Sequence, residues 1–87
     1  MAKVLVIDDS GFQRRWITRT LTSLGHETVE AVNGLEGLKA ADAEKPDCIT
    51  VDLNMPEMDG IAFLGNLKSE ELHIPVIVIT ANIQAET

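Results

Sequence analysis

Cys48-Ile-Thr-Val-Asp52, followed by Leu-Asn-Met-Pro-Glu-Met-Asp-Gly60, decides how this chain is read. The first four residues form a short apolar run without alternation, and the run stops at a carboxylate. Working outward, the same design recurs: Val4-Leu-Val-Ile7 stops at Asp8-Asp9, and Val76-Ile-Val-Ile79 stops at Thr80. Runs of this length without period-two alternation suit strands covered on both faces, and hence a parallel sheet. His26 to Val32 alternates more weakly, as a strand with one wetter face does.

Between these runs lie amphipathic stretches with start and stop signals. Ser10 with Gln13 three residues on fits a capping box, and opens a helix carrying Phe12, Trp16, Ile17, Leu21 and Leu24. Gly25 is its natural stop. Asn33 with Glu36 opens a second helix, with Leu35, Leu38 and Ala41 on one side. Gly60 to about Ser69 forms a third, with Asp59 as its N-cap. Pro46 and Pro75 stand at strand entrances, where a missing N–H costs least. The order is β-α-β-α-β-α-β. Right-handed crossovers turn that order into an α/β fold, an open parallel sheet with helices on both faces.

Composition bounds the function. The chain has 87 residues, is 45% hydrophobic and carries a net charge of −7. That is one small domain, able to bury about 60–65% of its unfolded surface. With so negative a balance the chain has no means of neutralising a row of phosphates, which argues against nucleic acid and against anionic membrane. Cys48 is the only cysteine. It precludes an internal disulfide, favours a cytoplasmic setting, and sits in an apolar run as a structural thiol. No apolar stretch approaches the roughly 20 residues of a membrane span, and no leader peptide is expected.

The chemistry-bearing residues fall at the carboxyl ends of three strands, where open α/β sheets bind ligands. They are Asp8-Asp9, Asp52, and Thr80-Ala81. Carboxylates converging there repel unless a cation sits among them. Oxygen donors suit a hard ion, so Mg²⁺ is the expected metal and Mn²⁺ a workable substitute. Dinucleotide binding is the poorest reading, because no G-x-G-x-x-G follows the first strand. A metal-dependent phosphohydrolase ranks just above it, since position 54 is Asn where that class uses a second acid.

Asp8-Asp9-Ser10, the stretch Asp52 to Gly60, and Thr80-Ala81 together resemble the receiver domains of two-component response regulators. Leu24-Gly-His26 and Ala31 to Gly37 resemble the same family around its second strand. The likeness runs from residue 3 to about 82. It implies a flavodoxin-like sheet with Asp52 as phosphoacceptor. Asp9 and Asp52 would bind the metal directly, Asp8 through water and Asn54 through its backbone carbonyl. Thr80 would bond a phosphoryl oxygen, and Ala81 would leave the approach open. The implied donor is a histidine kinase or phosphotransfer protein, and the chain is expected to be an acceptor domain rather than an enzyme.

Against that family the chain reads as a single incomplete receiver over 1–87, shortened to (βα)3β with a brief tail from about 81. It lacks counterparts of the family's last helix, strand and helix, and of the lysine on that strand. The alternative function is therefore a switch-deficient receiver that serves as a dimerising interaction module. A homodimer would form through the exposed fourth strand, or through the first helix around Trp16. His26 and His73 are read as surface or packing residues. Arg14, Arg15 and Arg19 are read as a solvated face of the first helix, and Asp42, Glu44 and Asp47 as solubilising charge.

Overall fold

A computed structural model describes residues 1–52, 65 and 74–79. Of the expected third helix only Gly65 is described, in helical conformation; its cap Asp59 and the positions Asn54, Thr80 and Ala81 lie outside the described residues. The described elements are strand β1 (Lys3–Ile7), helix α1 (Gly11–Ser23), strand β2 (Glu27–Ala31), helix α2 (Gly34–Glu44), strand β3 (Cys48–Asp52) and strand β4 (Val76–Ile79). The sheet is parallel throughout with the order β2-β1-β3-β4.

The register explains why the apolar runs do not alternate. Leu5, Ile7, Ile49 and Val51 point to one face and pack with Ala31, Leu38 and Ala41 beneath α2. Side chains alternate across a strand, so Val4 and Val6 point to the other face, where they too are buried. α1 packs on β1 and β2 without joining the cluster under α2. The two helices therefore cover opposite faces, as parallel crossovers require.

The helix ends follow their local signals. Ser10 Oγ accepts the Gln13 N–H at 3.2 Å, and Asn33 Oδ1 accepts the Glu36 N–H at 2.8 Å. At the far end of α1, Gly25 adopts φ +91°. Its N–H donates to the Thr22 carbonyl at 3.0 Å, and the His26 N–H donates to the Leu21 carbonyl at 3.1 Å. That pair of bonds is a Schellman motif, which asks for a residue free to take positive φ.

One expectation about faces changes, in α2. α2 buries Gly34, Gly37, Leu38 and Ala41. Leu35 points outward instead, because the small residues let the helix lie closer on their own side. In α1 the most buried residue is Thr18, whose hydroxyl returns to the Arg15 carbonyl at 3.0 Å. Phe12 and Trp16 stand 80% and 64% exposed, lining a surface hollow with Arg15 and Arg19. Among the described residues no helix is long and apolar enough to cross a membrane.

Candidate metal and phosphoryl site

β1 and β3 are neighbours running in the same direction, with Ile7 opposite Val51. The residues that follow them, Asp8 and Asp52, therefore lie side by side at the sheet's carboxyl edge. Asp9 follows in the turn leading to Ser10, the cap of α1. The three carboxylates each offer one oxygen, and these oxygens lie within 4.8 Å of one another. Asp8 is 1% exposed and Asp52 8%, whereas Asp9 is open to solvent.

Such a trio is electrostatically expensive. Two unit charges 4 Å apart cost about 4 kcal/mol at an effective dielectric near 20. Asp8 records the strain: burial pushes its carboxyl above the ordinary carboxylate range, and the charges of Asp52 and Asp9 push the same way. Two groups oppose the shift. The Ser10 N–H donates to Asp8 Oδ1 at 2.9 Å, and the Arg14 guanidinium stands nearby.

The donor set tests which ion fits. All three groups are hard oxygen donors, with two sheltered and one open to water. Mg²⁺ and Mn²⁺ prefer such sites and keep part of their hydration shell. Asp8, Asp9 and Asp52 thus fit a small divalent cation. The structure brings together these three of the predicted site residues. Asn54, Thr80 and Ala81 lie outside the described residues.

Sequence reasoning missed two residues beside the cluster. Arg14 is not simply part of a solvated face. Its Nη1 donates to the Asp8 carbonyl oxygen at 2.7 Å, and its Nε donates to Glu30 Oε1 at 2.9 Å. The signal was present but indirect. Arg14 lies one turn into α1, above the end of β1, and Glu30 sits on the strand that the sheet order places beside β1.

Comparison with known proteins bears on this arrangement. The family described as "Response regulator receiver domain" matches residues 4–87. The chain is 40% identical over 82 residues to the chemotaxis protein CheY of Listeria monocytogenes, covering 93% of this chain and 69% of that protein. It is 45% identical over 80 residues to a protein-glutamate methylesterase/protein-glutamine glutaminase of Archaeoglobus fulgidus, covering 91% of this chain but 23% of that one. Among solved structures, the N-terminal domain of a response regulator receiver protein from Methanoculleus marisnigri superposes with a TM-score of 0.90 at 32% identity, covering 94% of this chain and 68% of its own. The response regulator TrrA of Thermotoga maritima, solved in complex with Mg²⁺-BeF, superposes with a TM-score of 0.86 at 30% identity, covering 93% and 70%.

Proposed function

This chain belongs to the response regulator receiver domain family of two-component signalling, and from that premise we propose that it accepts a phosphoryl group on Asp52. The observation that carries the proposal is the meeting of three carboxylates at one sheet edge. Such a meeting costs the fold electrostatic energy, and phosphoryl transfer to a carboxylate assisted by a divalent ion makes use of it.

Asp8, Asp9 and Asp52 would hold the divalent cation, joined by the Asn54 carbonyl. When bound, Mg²⁺ (or Mn²⁺) would supply the positive charge that offsets the repulsion between the Asp52 carboxylate and the phosphoryl oxygens. A carboxylate oxygen of Asp52 attacks phosphorus as the P–N bond of a phosphohistidine breaks, and the imidazole leaves with the electron pair. Asp52 is only 8% exposed, which shelters its carboxylate from bulk water. By the family resemblance Thr80 would donate its hydroxyl to a phosphoryl oxygen, and the small Ala81 would leave the path clear. The donor is a histidine kinase or phosphotransfer protein in the cytoplasm. The chain is an acceptor, not an enzyme with a separate substrate.

A second reading rests on β4. Among the described residues it pairs on one side only, with β3, and Ile77 and Val78 are exposed. Strands of that kind pair with other chains, so a dimerising module that does not switch is the competing function. One experiment separates the two. The protein is incubated with Mg²⁺ and acetyl phosphate, and its intact mass is measured. Phosphorylation adds about 80 Da, as a hydroxylamine-labile adduct absent from Asp52→Ala. No adduct, together with a dimer in sedimentation, favours the interaction module.

A further inference from the structure

Asp8 is the residue from which the cluster is built, and its surroundings hold it at three points. Its N–H donates to the Ala31 carbonyl at 3.1 Å, and its Oδ1 accepts from the Ser10 N–H at 2.9 Å. Both bonds are products of the local backbone, one from the strand ladder and one from the turn. The third differs. The Asp8 carbonyl accepts 2.7 Å from Arg14 Nη1, on a side chain six residues away.

A long side chain makes such a bond reliably only if it is itself held. Glu30 holds it, accepting from Arg14 Nε at 2.9 Å, and the Arg14 side chain is left only 18% exposed. Adjacent residues of β2 therefore brace both backbone groups of Asp8. Ala31 takes the N–H directly, and Glu30 secures the carbonyl through Arg14. The other guanidinium nitrogen lies 3.9 Å from the point where a side chain at Gly11 would begin, so the guanidinium lies against the turn leading into α1.

The carbonyl so gripped belongs to the peptide that joins Asp8 to Asp9. Asp9 is exposed, so its carboxylate is directed by the backbone that carries it. We propose that Arg14, braced by Glu30, is the positioning residue of the cation site: it fixes the Asp8–Asp9 peptide, and thereby sets affinity for the divalent ion. This rests on the reading that the cluster holds such an ion. It adds a residue that touches neither metal nor phosphoryl group.

The sign of the effect distinguishes positioning from simple charge. A guanidinium beside Asp8 competes with a metal cation, so on charge alone its removal would tighten binding. Positioning demands the reverse. It also demands a planar fork that serves two acceptors at once, which a lysine ammonium cannot reproduce.

The test is Mg²⁺ titration by isothermal calorimetry on the wild type, Arg14→Met, Arg14→Lys, Glu30→Ala and Glu30→Gln, with circular dichroism to establish folding. The Mg²⁺ Kd should rise about tenfold in both Arg14 variants, at the low end of losses seen for outer-shell partners. Glu30→Ala should raise it by roughly threefold, while Glu30→Gln, which keeps an oxygen acceptor, stays within about twofold of wild type. Arg14→Met binding Mg²⁺ as tightly as the wild type, or more tightly, overturns the proposal. Should the Arg14 variants fail to fold, the Glu30 pair decides, and equal constants for Ala and Gln overturn it. A wild type that takes up no Mg²⁺ overturns the cation reading itself, and this inference with it.

Discussion

The two ends of the same sheet treat acidic residues in opposite ways. At the amino end, acids meet donors. The Lys3 N–H donates to Asp47 Oδ2 at 2.8 Å, and the Lys3 ammonium reaches Glu44 at 3.1 Å. Nearby, Lys45 faces Asp42 at 3.3 Å, and the Ala2 N–H donates to His26 Nδ1 at 3.0 Å. Asp47 is thus more than solubilising charge, because it caps the entrance of β1. At the carboxyl end, three acids meet one another. The amino end looks like charge arranged for the native state. The carboxyl end looks like charge arranged for a ligand, at the expense of the native state.

The largest effect that would break this contrast is loss of an ion ligand. Asp9→Asn should raise the Mg²⁺ Kd by about a hundredfold or more, above the range for outer-shell changes. It should leave the fold intact, since Asp9 is exposed. Calorimetric titration measures this, and an unchanged constant would remove Asp9 from the site.

Next in size is relief of repulsion in the metal-free protein. Asp8→Asn keeps an oxygen for the Ser10 N–H while deleting a buried charge. It should stabilise the protein in EDTA by about 1–2 kcal/mol, part of the interaction between charges a few ångströms apart. The pH dependence follows from the same shift. The Asp8 carboxyl is raised in the folded chain, so above its ordinary pKa the native state binds more protons than the unfolded one. Stability from this group is complete below the unfolded value, and is lost as pH rises through the folded value. Denaturant melts of the wild type in EDTA should show that decline, and Asp8→Asn should flatten it. A variant less stable than wild type at neutral pH would deny the crowding.

The smallest effect belongs to the amino end and serves as the control. Lys3→Met should lower the melting temperature slightly and leave Mg²⁺ affinity unchanged, because exposed ion pairs are screened by solvent. A marked loss of metal affinity would mean that the two ends are not independent.

Local signals in the sequence located most of the fold. β1 and β3 were legible as unbroken apolar runs, and the caps at Ser10, Asn33 and Gly25 as short-range chemistry. The carboxylate trio was legible because each member ends or follows an apolar run, and parallel order brings such ends together. Other features were not legible, because they depend on which face is covered and by what. Helical spacing groups Phe12 with Trp16, yet does not say that both would face outward. Leu35 looked equivalent to Leu38 until the glycines at 34 and 37 drew α2 in on their side. The Arg14–Glu30 pair spans a helix and a strand, and only the order β2-β1-β3 makes them neighbours.

The central claim is that like charges are crowded at one sheet edge in order to be neutralised by a divalent ion. Its most direct test is thermal unfolding of the wild type in EDTA and in saturating Mg²⁺ at neutral pH. An ion bound only by the native state at a hundred times its Kd adds about 2.7 kcal/mol, so the midpoint should rise by about 10 °C or more for a chain this small. Identical midpoints in Mg²⁺ and EDTA would contradict the account.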